Sequence, residues 1–212
     1  MRAMKTAATT SALAFALAAA LLAAPAAAQE AAAEAPMPKG QELFATCSAC
    51  HGEDGTSLVP LYPSLAGQHP EYLMSQFLAF KKGVRQDETM QPFADMTSEE
   101  DAREAIAWVT SQKPKVPEAT VSAEDAALGE RIYRGGIMDR RIPSCAACHA
   151  PDGSGIAVQY PRIAGQGVDY TSKQLTAFRD GTRTTNQVMA DVAAKMNDKE
   201  IKAVSNYIAS LR

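Results

Sequence analysis

Apart from one N-terminal run, the apolar residues of this chain are spread at helical spacing rather than in long blocks. Gly40 and Phe44 stand four residues apart, as do Gly129 and Tyr133, which puts each pair on one face of a helix. A middle helix is predicted to begin near Pro70, where proline suits a first turn, and to stop by Gly83, a residue type that ends helices. Its counterpart later in the chain runs to Gly181. A last helix opens with Thr97-Ser-Glu-Glu100, which reads as a capping box, and again with Asn197 followed by Glu200. It turns Ile106 and Val109, or Val204 and Ile208, toward a core. Gly and Pro are frequent between these segments and β-branched runs are few, so an all-α fold without substantial sheet is expected.

The N-terminal run reads as an export signal over residues 1–28. Arg2 and Lys5 give a positive start, Ser11 to Ala24 is apolar, and Ala26-Ala27-Ala28 offers small residues for cleavage. At 14 residues the apolar run is shorter than the ~18 of a spanning helix, the competing reading being an uncleaved anchor. A periplasmic location follows as an expectation.

The rest of the chain is one unit written twice. Cys47-Ser-Ala-Cys50-His51 returns 98 residues later as Cys145-Ala-Ala-Cys148-His149. Tyr62-Pro63-Ser64-Leu65-Ala66-Gly67-Gln68 returns as Tyr160-Pro161-Arg162-Ile163-Ala164-Gly165-Gln166. Tyr72, Phe80, Gly83 and Arg85 return as Tyr170, Phe178, Gly181 and Arg183. One inserted residue then makes the offset 99, so that Met90 and Trp108 match Met189 and Tyr207. Two domains are expected, over 37–113 and 123–212, joined by an extended linker over 114–122 that holds Pro114 and Pro117. Residues 29–113 carry 6 Lys/Arg against 13 Asp/Glu, while 123–212 carry 12 against 10, so the molecule is expected to be an electric dipole with an acidic first half. Such asymmetry orients encounters with charged partners. It is equally compatible with two ordinary solvated surfaces.

All four cysteines lie in the two Cys-x-x-Cys-His pentapeptides, with two of the three histidines. This is the attachment pattern of c-type haem: two thiols on one turn form thioethers, and the adjacent histidine is placed to ligate iron. Two covalently bound haem c groups are therefore expected, on Cys47, Cys50 and His51, and on Cys145, Cys148 and His149. Disulfides within each pair would leave the following histidine unexplained. A zinc site would need both halves to converge on one ion. A chance match is the remaining alternative, and a doubled motif in register behind an export signal speaks against it.

The sixth ligand separates electron transfer from chemistry at the metal, since His/Met ligation is that of cytochromes c. Met90 and Met96 in the first unit, and Met189 and Met196 in the second, are the candidates. Met90 and Met189 lie equally far, 18 residues, before Trp108 and Tyr207, which favours that pair. Met96 and Met196 stand just before a helix cap, where an apolar residue would fill the core. Met74 and Met138 have no counterparts and read as packing or surface residues. Pro63 and Pro161, each 12 residues after its histidine, offer a carbonyl to the imidazole N–H. His69, aligned with Gly167, reads as a surface side chain. Arg85 and Arg183 read either as partners of haem propionates or as solvated residues after a helix.

These motifs together resemble the dihaem cytochromes c4 over nearly the whole length after the signal. The likeness also rests on Arg134-Gly-Gly, Cys148-His-Ala-Pro-Asp-Gly, Lys173-Gln-Leu-Thr-Ala-Phe-Arg179 and Val192-Ala-Ala-Lys195. The resemblance implies two class I cytochrome c domains related by a pseudo-twofold, with Met90 and Met189 as the distal ligands. It implies periplasmic or membrane-associated carriers that pass electrons toward terminal oxidases. The chain departs from the family in having one residue fewer between Met90 and the last helix cap, and Met96 where leucine is common.

The leading expectation is a monomeric electron carrier, not an enzyme, with a donor complex and a terminal oxidase as redox partners and possible peripheral membrane association. No nucleic-acid partner is expected. The alternatives are a haem enzyme of peroxidase or thiosulfate-oxidising type, and the cytochrome subunit of a dehydrogenase.

Overall fold

Each repeat builds its helices from local signals, and the first helix of each must cross the last one closely. The computed structural model describes residues 37–116 and 122–212, so the expected export signal lies outside the described residues. In the first half, α1 spans Lys39–His51, α2 Pro70–Lys81, α3 Met90–Met96 and α4 Glu99–Ser111. In the second, α5 spans Ala123–Gly135, α6 Ala146–His149, α7 Val168–Arg179, α8 Gln187–Ala193 and α9 Asp198–Ser210. Only isolated bridges occur between extended residues in the described part, so the all-α expectation holds. The short helices α3 and α8, and a single 3-10 turn over Met138–Arg140, go beyond the three helices per unit that the periodicity predicts.

Helix starts follow chemistry. Pro70 opens α2, and Asn197 and Glu200 form the expected capping box on α9. For α4 the cap is Ser98, whose Oγ accepts the Asp101 N–H at 3.0 Å, one residue later than the Thr97–Glu100 reading. Ser and Thr are both competent caps and both are extended here, but only Ser98 has its side chain bonded to the first turn of the helix.

Gly40 lies where α1 meets α4, and Gly129 where α5 meets α9. A Cβ at Gly40 would stand 2.5 Å from the Glu104 carbonyl oxygen and 2.7 Å from the Trp108 Cβ. One turn on, Phe44 meets Trp108 with ring centroids 5.2 Å apart, and Tyr133 meets Tyr207 at 5.4 Å. Phe44, Leu73, Ala105 and Val109 form the first core. Ile132, Tyr133, Ile201, Val204 and Ile208 form much of the second. Ile106 packs against the first core from its edge.

The halves differ at the approach to the cysteines. Phe44 recurs as Tyr133, 89 residues on, whereas Cys47 recurs 98 residues on, so the second half carries nine extra residues there. Where α1 runs unbroken through its pentapeptide, the second half ends α5, makes a loop pinned by paired Ile137 and Ile142, and restarts as α6.

The two halves dock on each other, and the described start of the linker lies along both. Pro114 packs against Gly67 of the first half and Val116 against Gly165 of the second, while Lys115 pairs with Asp54 at 2.5 Å. Residues 117–121 of the expected linker lie outside the described residues. Among the described residues no helix is long and apolar enough to cross a membrane.

Candidate functional site

The two pentapeptides end their helices with a buried histidine held by a proline. Cys47 and Cys50 occupy the last turns of α1, and His51 is its final residue. Cys145 stands at the N-cap of α6, Cys148 inside it, and His149 ends it. His51 Nδ1 donates to the Pro63 carbonyl at 2.8 Å, and His149 Nδ1 donates to the Pro161 carbonyl at 2.9 Å. A carbonyl only accepts, so the proton sits on Nδ1 and the lone pair on Nε2. Burial pushes both imidazoles below the ordinary histidine value, against the opposing pull of the proline carbonyl, and so favours the neutral form that ligates metals. Both carbonyls are those singled out by the equal spacing in sequence.

All four cysteines are free thiols. Burial raises the Cys47 thiol, with the neighbouring Cys50 adding to it, and raises Cys145 to about 11. Cys47 and Cys145 are therefore uncharged at neutral pH, unlike thiolates poised for disulfide exchange. Among the described residues no three His, Cys, Asp or Glu side chains gather, and the two pentapeptides stand apart, one in each half. Paired thiols beside a neutral imidazole with a free Nε2 are the donor set that suits a thioether-linked haem.

The four methionines divide by surroundings. Met90 and Met189 are half-buried and equivalently anchored: the Met90 N–H donates to Asp87 Oδ1 at 3.1 Å, and the Met189 N–H to Asn186 Oδ1 at 3.0 Å. Met196 fills the second core at 5 % exposure, as expected. Met96 does not, being 75 % exposed. The reason is local: α3 continues through Met96, whereas α8 stops at Ala193 and the chain turns inward to Met196. Met74 is buried and Met138 exposed, matching their reading as packing and surface residues.

One residue stands elsewhere than expected, and two more lose one of their readings. His69 is half-buried, not a surface side chain, and its Nε2 is sealed without a hydrogen-bond partner. Arg85 and Arg183 are each 6 % exposed, which excludes the solvated reading. They pair back to back as an antiparallel bridge at the seam between the halves. Arg85 Nη2 donates to Tyr170 Oη at 3.0 Å and to Gln174 Oε1 at 2.9 Å; Arg183 Nη2 donates to Tyr72 Oη at 3.1 Å and to Gln76 Oε1 at 2.8 Å. Each guanidinium also lies over a phenylalanine, 4.6 Å above Phe80 and 4.4 Å above Phe178.

Gln68, Gln76, Gln166 and Gln174, to which the sequence gives no role, all join the halves. Their recurrence at an offset of 98 was the available signal.

Comparison with known proteins agrees with this architecture. Residues 126–212 match the family model described as cytochrome c, and residues 35–109 match that described as cytochrome C oxidase, cbb3-type, subunit III. Cytochrome c4 of Azotobacter vinelandii is 41% identical over 185 residues, covering 81% of this chain and 87% of that one. A protein named thiosulfate dehydrogenase electron acceptor, from Stutzerimonas stutzeri, is 36% identical over 170 residues, covering 78% of each. The crystal structure of reduced cytochrome c4 from Pseudomonas stutzeri superposes with a TM-score of 0.77 at 38% identity, covering 84% of this chain and 100% of that one. Agreement of sequence and fold over most of both chains makes this chain a member of the cytochrome c4 family, electron carriers of the c type with covalently bound haem.

Proposed function

We propose that the chain is a periplasmic dihaem carrier, with domains over 37–113 and 123–212, that shuttles electrons from a donor complex toward a terminal oxidase. Cys47 and Cys50 would hold the first haem, and His51 and Met90 would ligate its iron. Cys145 and Cys148 would hold the second, with His149 and Met189 on its iron. When bound, each haem supplies an iron that cycles between ferrous and ferric. The protein would contribute a fixed, neutral imidazole, a thioether sulfur, and burial that raises the potential and excludes other ligands.

The observation that carries this reading is the duplicated His–Pro hydrogen bond, matched in each half by a methionine three residues after an Asx anchor. A haem count on the purified protein, with Met90→Ala and Met189→Ala variants, tests it. Two covalent haems per chain are expected, and each variant loses half of the methionine-to-iron charge-transfer band. Fewer haems, or a variant that leaves the band unchanged, overturns the assignment.

A second reading keeps the carrier but changes the donor. The relative named as an electron acceptor of thiosulfate dehydrogenase makes such a dehydrogenase a candidate partner. Stopped-flow reduction by a purified thiosulfate dehydrogenase, against reduction by a respiratory quinol-oxidising complex, distinguishes the two donors.

A further inference from the structure

Each half reaches across the seam to the peptide group that holds the other half's histidine. One peptide unit joins Pro63 and Ser64. Its carbonyl accepts the His51 Nδ1–H at 2.8 Å, while its N–H, that of Ser64, donates to Gln166 Oε1 of the second half at 2.8 Å. The arrangement is reciprocal. The peptide joining Pro161 and Arg162 accepts His149 at 2.9 Å through its carbonyl and donates to Gln68 Oε1 of the first half at 2.9 Å through its N–H.

Both carboxamides are fixed in orientation. Gln166 Nε2 donates to the Ser64 carbonyl at 3.0 Å, and Gln68 Nε2 donates to the Arg162 carbonyl at 2.7 Å. A backbone N–H only donates and a carbonyl only accepts, so these contacts decide which end of each amide is oxygen. Oε1 of each glutamine is further held by the next backbone N–H, of His69 at 3.0 Å and of Gly167 at 3.3 Å.

Hydrogen bonds in series polarise one another, by roughly 10–30% per bond. A peptide whose N–H is donated carries more negative charge on its carbonyl oxygen. That oxygen draws harder on the imidazole Nδ1 proton, and the opposite nitrogen becomes a stronger donor to a metal. A stronger donor favours the higher oxidation state and lowers the reduction potential.

We propose that Gln166 and Gln68 are positioning residues wired across the seam, Gln166 tuning the iron bound by His51 and Gln68 the iron bound by His149. The inference rests on the haem ligation proposed above. Each potential is then set in part by contact with the opposite half, and opening the seam moves both.

The test is site-resolved redox titration of the holoprotein, each haem being assigned by its haem-methyl resonances, after haem content and the methionine band have been recorded. Gln166→Leu is expected to raise the potential at the His51 site by roughly threefold to tenfold in the one-electron equilibrium, tenfold being ~59 mV, and to leave the His149 site in place. Gln68→Leu does the converse. Gln166→Glu keeps the acceptor oxygen for Ser64 and adds negative charge, so it holds the His51 site at or below its original potential; a clamp that merely fastened the halves would respond to both substitutions in the same direction. This glutamate variant carries the test if the leucine variant fails to fold. Equal shifts at both sites, a shift confined to the glutamine's own half, or unmoved potentials with two haems and the band intact overturn the inference alone. Fewer than two haems in the unaltered protein overturns the ligation beneath it.

Discussion

Asp87 Oδ2 lies 3.0 Å from Lys173 Nζ of the opposite half, while Oδ1 of the same carboxylate accepts the backbone N–H of Met90. One side chain thus ties the start of α3 both to its own loop and to the partner helix α7. Burial pushes this carboxyl up, but Lys173 and the Met90 and Thr89 N–H groups together hold it below the ordinary 3.8, so it is ionised at neutral pH.

The two oxygens can be separated by substitution. Asp87→Asn keeps an amide oxygen for the Met90 N–H and loses only the ion pair, half-exposed on the lysine side, at a cost of under ~1 kcal/mol. Asp87→Ala loses both contacts and adds the ~1 kcal/mol typical of a lost cap. Guanidinium unfolding of the holoprotein should rank them in that order, and raising the salt should narrow the gap between Asp87→Asn and the original protein.

Arg85 and Arg183 share their acceptors: Gln76 Oε1 and Gln174 Oε1 each accept from both guanidinium groups, at 2.8 to 2.9 Å. Arg85→Met leaves the Tyr170 hydroxyl without this donor and both glutamines half-satisfied, which is expected to destabilise by about 2–3 kcal/mol. The Arg85→Met/Arg183→Met double variant should cost clearly more than the two single losses added, because Gln76 Oε1 and Gln174 Oε1 each keep one arginine donor after the first substitution and none after the second. A thermal-unfolding double-mutant cycle reads this coupling; strict additivity would mean that the seam network does not act as a unit.

The lesson about legibility lies in which contacts are local. Cys47, Cys50, His51 and Pro63 fall within 17 residues, and their chemistry fixes their spacing, so a repeat of that spacing announces the site. Gln68 and Gln166 also recur, but their bonds reach Arg162 and Ser64, 94 and 102 residues away. Only the docking of the halves brings them together. Arg85 follows a helix end, where a cation is ordinarily solvated, and docking likewise buries it. Met96 and Met196 show the reverse limit, since equal positions before a cap end with opposite exposure when α3 and α8 stop at different points.

Gly40→Ala is expected to destabilise even though alanine is the better helix former by ~1 kcal/mol. The added methyl would meet the Glu104 carbonyl and the Trp108 Cβ, which are α4 backbone and backbone-adjacent atoms that cannot rotate aside. Forcing α1 and α4 apart costs ~1–3 kcal/mol by the usual scale of overpacking, outweighing the propensity gain. Gly129→Ala meets Ala203 and Tyr207 in the same way, and should lower the melting temperature of the second half. Calorimetry on both variants checks the sign, and a rise in melting temperature would show that the helix crossing is looser than it stands.

Glu200 supplies a pH dependence whose direction is fixed. Burial raises its carboxyl, but the Arg140 guanidinium and the Asn197 N–H outweigh that and hold it below the ordinary glutamate value of 4.5. A carboxyl depressed in the folded state contributes stability that is fully present above the unfolded value and is lost as pH falls through the folded one. At pH 7 the Glu200→Gln variant, lacking the charge that Arg140 pairs with, should therefore be less stable by roughly 1 kcal/mol, the scale of a partly exposed ion pair. As pH falls below 4.5 the original carboxyl itself becomes protonated, and the difference between the two proteins should shrink toward zero. Guanidinium midpoints at pH 7, 5 and about 3 measure this. A difference that stays constant across that range would mean that Glu200 acts through its neutral cap contacts with Asn197 and not through its charge.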